Sequence, residues 1–116
     1  MVSRSSYVPE RGDLIWLDFD PQAGHEQAGR RPALVLSPKS YHQRSRLAVV
    51  CPITSRIKGY PFEVPLEGLS KPAAVLADQL RSLDLAARQV AFIAKAGTNT
   101  VDVVSQLASA LILPAD

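Results

Sequence analysis

The sequence predicts a mainly β, α+β fold: a small, strongly curved antiparallel barrel with helices packed outside it and a helix at the C-terminus. Short apolar segments recur either in period-two alternation or as continuous runs of Val, Ile, Leu and Ala. Prolines and glycines punctuate these segments at short intervals, and only the last one, from Thr100, carries a helical apolar period. At 116 residues the chain is expected to form one domain, residues 1–116, with one core. An active site must then be a surface cleft or lie between subunits.

The first strand is expected from about Asp13 to Phe19, where Ile15, Leu17 and Phe19 alternate with Leu14, Trp16 and Asp18 until Pro21 stops it. Trp16 reads as a core residue, the alternative being that, if exposed, it or Tyr60 would suit a base stacking on its ring. From Gln22 to Gly29 there is no apolar pattern to bury, which predicts a mobile loop. Arg31 precedes Pro32 and is therefore biased toward an extended backbone, opening a second strand through Leu36. Pro38 to Arg44 is polar with Tyr41 and predicts a short helical turn or loop. Arg46 to Thr54 is nearly continuous in apolar residues, as expected of a central strand. Gly59 marks a turn into Tyr60–Pro65, whose Pro61 and Pro65 assign it to a sheet edge. Further strands are expected at Ala73–Ala77, Gln79–Leu83 and Gln89–Ala94. In the tail, Thr100 is expected to cap a helix with Asp102 in its first turn. Val103, Val104, Leu107, Ala108, Leu111 and Ile112 would share its apolar face, and Pro114 follows its end.

Net charge is only +2, but its distribution is uneven. Between His25 and Tyr60 stand Arg30, Arg31, Lys39, Arg44, Arg46, Arg56 and Lys58 against the lone acid Glu26, whereas acids outnumber bases from Pro61 onward. One region can thus offer a positive surface to a polyanion, the alternative being solvated loop charge. No run approaches the length of a membrane span, and Met1 to Arg11 lacks the apolar segment of a secretory signal, so cytoplasmic residence is expected. The single Cys51 lies within an apolar run and reads as a buried, inert thiol. With only His25 and His42 to join it, no zinc site and no other metal or cofactor is expected.

Chemistry concentrates in Gly12-Asp13-Leu14-Ile15-Trp16-Leu17-Asp18-Phe19-Asp20-Pro21 and the following His25-Glu26-Gln27-Ala28-Gly29-Arg30-Arg31-Pro32. This is a strand, a polar loop bearing one carboxylate, and a strand that opens on paired arginines. Pro52-Ile53-Thr54-Ser55, then Lys58-Gly59-Tyr60-Pro61-Phe62-Glu63-Val64, and then Val75-Leu76-Ala77-Asp78-Gln79 with Arg81-Ser82 follow in order. Over roughly Tyr7 to Ser82 these blocks strongly resemble the MazF/PemK family of toxins, sequence-specific RNA endonucleases of type II toxin–antitoxin systems, with the MazF branch the nearer match. The resemblance implies an SH3-like barrel of the kind shared by MazF, PemK/Kid and the gyrase poison CcdB.

It also implies a metal-independent, ribosome-independent cut in single-stranded RNA at short sites, with ACA the leading candidate. RNA carries its own nucleophile, the 2′-hydroxyl, so the protein need only orient it and manage protons and charge. The implied catalytic set is Glu26 as base, Arg31 as stabiliser of phosphoryl charge and a poorer candidate for proton donor to the leaving group, and Thr54 as a hydroxyl donor to the phosphate, a role Ser55 beside it could share. Read as residues alone, Glu26 is also compatible with a solvated or RNA-binding carboxylate, Arg31 with a surface cation, and Thr54 with β-branched strand filler. His25 could titrate near neutral pH or simply be solvated. Arg30, Gln27, Ser55, Lys58, Tyr60, Asp78, Gln79 and Arg81 lie in or near the matched blocks and are candidates for holding RNA. Implied partners are mRNA, a MazE-like antitoxin with a flexible acidic tail, and a second copy of the chain, with no membrane. The rival readings are a CcdB-like gyrase poison and a non-catalytic barrel that binds nucleic acid or peptide.

Overall fold

The computed structural model describes residues 7–19 and 29–114. Seven strands form one antiparallel sheet: β1 (Asp13–Asp18), β2 (Arg30–Val35), β3 (Leu47–Thr54), β4 (Glu63–Leu66), β5 (Ala73–Leu76), β6 (Arg81–Asp84) and β7 (Ala91–Lys95). Their order is β4-β5-β3-β2-β1-β7, with β6 pairing β3. Two helices, α1 (Lys39–Ser45) and α2 (Thr98–Ile112), complete it. Strand β3 is the hub, as its continuous apolar run predicts. β2 pairs with its middle, β5 with Ile53 and Thr54, and β6 with Leu47–Val50. A single 3-10 turn, Ala77–Gln79, links β5 to β6, so the two follow β3 in turn and curl the sheet into a half-barrel.

Alternation sends neighbouring side chains into two cores. Leu14, Leu34, Cys51, Ile53, Val64 and Val75 pack with Val101 and Val104 of α2 on one face. Ile15, Leu17, Phe19, Ala33, Val35, Ala48, Val50 and Leu83 fill the other. Every buried Leu, Ile or Val contributes about 1.5–3 kcal/mol of transfer free energy, so both faces hold the sheet.

The expected elements are present, with shifted ends. The segment after Pro38 is a seven-residue helix, α1, that buries His42. One ring nitrogen of His42 lies 2.7 Å from the Pro9 carbonyl and the other 2.7 Å from Ser37 Oγ, tying α1 to the chain entering β1. The Tyr60–Pro65 prediction narrows to β4, which does occupy an edge. Helix α2 starts before the expected Thr100 cap: the Gly97 carbonyl accepts the Val101 amide at 3.1 Å, so the ladder begins at Thr98 without a side-chain cap. Asp102 therefore falls beyond the first turn. The helix buries Val101, Val104 and Ala108, whereas Leu111 and Ile112, expected on that face, project past the sheet and are exposed.

The start of β1 is fixed by two devices. Gly12 has φ +92°, a conformation that L side chains rarely adopt, and its amide and carbonyl bond to Val35 and Ala96, each at 2.8 Å. Next to it, buried Asp13 accepts hydrogen bonds from Tyr7 Oη (2.5 Å), the Glu10 amide (3.0 Å) and Lys95 Nζ (2.7 Å). Burial alone would push the Asp13 carboxyl up, but these bonds and the Lys95 charge outweigh it and hold it below the usual carboxylate value. Lys95 is correspondingly raised by its bonds to Asp13 and Glu10.

Candidate active site

The ladder explains why two distant candidates meet. Strands β2 and β3 pair Ala33 with Pro52, Leu34 with Cys51 and Val35 with Val50. Carried two residues further, that register sets Arg31 opposite Thr54. Both line one cavity of about 380 Å³, together with Ser55, Arg56 and Trp16, over walls that include Pro32 and Ile53. Thr54 Oγ1 accepts the Arg56 amide at 3.0 Å, which fixes the hydroxyl oxygen and leaves its hydrogen to donate.

The paired arginines differ in what they touch. Arg30 forms a 3.1 Å ion pair with Asp18, its cross-strand partner, and a 2.9 Å bond to the Gln89 carbonyl. Arg31 is exposed, and among the described residues its guanidinium has no ion pair or hydrogen bond. The cavity thus holds a cation whose planar fork no described residue occupies, a shape matched to an anion.

Other candidates are spread around this centre. Ser55 and Arg56 open the segment that leaves the cavity toward Lys58 and Tyr60. There the Glu63 carboxylate accepts the amides of Lys58 (3.0 Å) and Gly59 (2.8 Å), and Gly59 supplies the positive φ of +79° that this tight turn requires. The turn carries Lys58 Nζ 5.8 Å from the centre of the exposed Tyr60 ring. Asp78 and Gln79 are exposed on the 3-10 turn and do not line the cavity. The Arg81 guanidinium lies 5.3 Å from the centre of the Phe19 ring. Phe19 itself marks a fixed base: its amide donates to the Gly29 carbonyl at 2.6 Å, and Arg88 Nη1 donates to the carbonyls of Asp18 (2.8 Å) and Phe19 (2.7 Å). Glu26, Gln27 and His25 lie outside the described residues.

Two residues differ from their sequence reading. Trp16, expected in the core, is 41% exposed and lines the cavity. Its cross-strand neighbours are Pro32 and Ala91, neither bulky enough to cover an indole, while Leu14, two residues earlier, is buried beneath α2. Arg56, noted only as one of several basic residues, lines the same cavity. Its place directly after the Thr54-Ser55 pair was the available signal. Cys51 behaves as expected: burial, and secondarily the Asp78 charge, push its thiol up to about 12, which leaves no nucleophile at neutral pH. Among the described residues, no group of three His, Cys, Asp or Glu side chains converges to hold a metal ion. No helix among them is long and apolar enough to cross a membrane.

Residues 10–113 match the family described as "PemK-like, MazF-like toxin of type II toxin-antitoxin system". The chain belongs to this family. The matched span takes in every strand and both helices of this PemK-like, MazF-like domain, and every residue of the cavity. A curated relative, the endoribonuclease toxin MazF of Escherichia coli (strain K12), is 53% identical over 88 residues, covering 76% of this chain and 78% of that protein. A crystal structure of MazF (Form-I) from Deinococcus radiodurans superposes with a TM-score of 0.82 at 50% identity, over 92% of this chain and 98% of that one. The MazE-MazF (Form-II) crystal structure from the same organism gives a TM-score of 0.81 at 42% identity, over 95% and 100%.

Proposed function

We propose that this chain is the endoribonuclease toxin of a type II toxin–antitoxin pair, cutting single-stranded RNA in the cytoplasm at short sequences, with ACA the first site to test. The observation that carries this reading is the meeting of Arg31 and Thr54 in one cavity, within a family whose relative at 53% identity is an endoribonuclease toxin. This relationship favours a ribonuclease over a gyrase poison or a passive binding module.

In the proposed reaction the 2′-oxygen bonds to phosphorus as the bond from phosphorus to the 5′-oxygen breaks. Arg31 stabilises charge on the non-bridging oxygens, and the Thr54 hydroxyl donates to the same phosphate. Glu26 is the candidate acceptor of the 2′-proton, and a proton returns to the 5′-oxygen as it leaves. The products are a 2′,3′-cyclic phosphate and a 5′-hydroxyl. DNA is spared for lack of the nucleophile. No step needs a metal, because the nucleophile is tethered to the substrate and the charge is met by a guanidinium.

The MazE-MazF assembly of the Deinococcus relative supports a MazE-like antitoxin as the controlling partner of this chain. An acidic extended tail would suit the positive stretch from Arg30 to Lys58 for the same electrostatic reason as RNA. A homodimer is proposed as well, with the exposed Leu111, Ile112 and Leu113 as apolar surface available to it.

The test is digestion of a long single-stranded RNA pool in EDTA, followed by mapping of cut sites and end groups. Cuts at a short common sequence with 5′-hydroxyl ends are expected. Loss of cutting in EDTA, 5′-phosphate ends, or equal cutting of the matching DNA would overturn the mechanism.

A further inference from the structure

The cavity contains more than a phosphate site. Its charged and hydroxyl groups, Arg31, Thr54 and Arg56, account for the anion, yet its largest side chain is an aromatic one. Trp16 carries 41% of its surface into solvent, a large exposure for an indole within a strand. The exposure is built in. Pro32 and Ala91 flank it across the ladder, and α2, which buries Leu14, does not cover it. Strands paired on both sides hold the Trp16 backbone in place, so a flat ligand meets an indole whose only freedom is its own side-chain torsions.

We infer that Trp16 is the stacking platform for one nucleobase beside the scissile phosphate, and the residue that makes that position prefer a purine. The inference rests on the ribonuclease reading and deepens it. A nucleotide presents a phosphate and a flat base within one residue's length, and the 380 Å³ cavity presents a fork of cations and an indole within the same space. That volume lies at the small end of ligand cavities, about 300–1,000 Å³, as suits one base rather than several. Single-stranded RNA is the form whose bases are free to leave their neighbours and stack on aromatic rings. Stacking strength grows with ring area, which favours a purine; the Ser55 hydroxyl, lining the same cavity, is placed to meet a base edge. Tyr60 is more exposed, at 61%, but it lies outside the cavity and its ring already faces Lys58.

Trp16 is the chain's only tryptophan, so its emission reports on this one site. The full-length protein is titrated with a dye-labelled single-stranded oligodeoxynucleotide that copies a cleaved RNA but lacks the nucleophile. Dye anisotropy reads binding, while tryptophan emission reads contact. Emission should be quenched on saturation. In a series with one abasic position at a time, the quench should vanish at a single nucleotide flanking the cut, with affinity there falling about 5- to 150-fold. Trp16→Phe should keep the cut site and most of the affinity. Trp16→Ala should weaken binding by the same 5- to 150-fold and lose the purine preference at that nucleotide. RNA cutting with unchanged tryptophan emission on binding, or a quench indifferent to every abasic position, would overturn the stacking role and leave the ribonuclease intact. Absence of RNA cutting altogether would overturn both. The fluorescence arm uses the unmutated protein, so a folding defect in Trp16→Ala cannot decide the matter.

Discussion

Replacing each of the adjacent arginines by alanine separates catalysis from architecture, because the two guanidiniums differ in what they touch. Arg31 has no ion pair or hydrogen bond among the described residues, so Arg31→Ala should change stability by no more than about 0.5 kcal/mol. Its rate should fall at least a hundredfold, the scale for removing a preorganised charge stabiliser, which is about 2.7 kcal/mol of transition-state binding. Arg30 is engaged by Asp18 at 3.1 Å and by the Gln89 carbonyl at 2.9 Å. With the ion-pair side chains 38% and 23% exposed, screening limits the pair, and Arg30→Ala should cost about 1 kcal/mol of stability with a rate loss under tenfold. The assay is single-turnover cleavage of a short RNA with saturating enzyme, which isolates chemistry from product release, run beside thermal melts of the same preparations. Arg31→Lys restores charge but not the fork and should recover only part of the rate. A near wild-type rate for Arg31→Ala would refute the assignment. So would a reversal in which Arg30→Ala is the inactive variant and Arg31→Ala the unstable one.

Thr54→Val should slow cleavage about 10- to 100-fold, the value of one hydrogen bond to a charged group, while Thr54→Ser keeps most of the rate in the same assay. The Asp13 carboxyl, held low in the folded state, should stabilise the fold fully above about pH 4 and lose that contribution as pH falls further through its depressed value. Lys95, raised by the same contact, loses its share only as pH rises through its elevated value. Asp13→Asn should therefore cost about 2 kcal/mol at neutral pH and flatten the acid limb, as read by urea melts from pH 3 to 7. Cys51, buried with its thiol pushed up to about 12, should resist thiol reagents at pH 8 in the native protein and react once it is unfolded. Rapid native labelling would contradict its placement.

Strands were legible where local pattern and tertiary context agree. The apolar run of β3 read as a central strand and the prolines near β4 as marks of an edge, and both hold. Helix α2 began two residues before its expected cap, because a glycine carbonyl can start a ladder as well as a threonine can cap one. The candidate site was half legible. Arg31 and Thr54 were named from matched blocks, but their meeting depends on the register between β2 and β3, which neither segment encodes alone. Trp16 was misread because hydrophobicity states what a side chain prefers, whereas exposure depends on whether another element reaches it. Asp13 passed as an unremarked strand start, since its partners Tyr7 and Lys95 converge only in three dimensions.

The bonds that join Phe19 to Gly29, and Arg88 to the carbonyls of Asp18 and Phe19, have an evolutionary corollary. They tie the end of β1 to the start of β2 through Asp18, Phe19, Gly29 and Arg88 alone, contacts that do not depend on the identity of the residues numbered 20–28. Closure entropy rises only with the logarithm of length, about 0.6 kcal/mol for each doubling. Changes of length between these anchors should therefore leave the strands that carry Arg31 and Thr54 undisturbed, while the role proposed for Glu26 restricts substitution at that one position. A scaffold so arranged separates the tolerance of a connecting segment from the geometry of the cavity beside it.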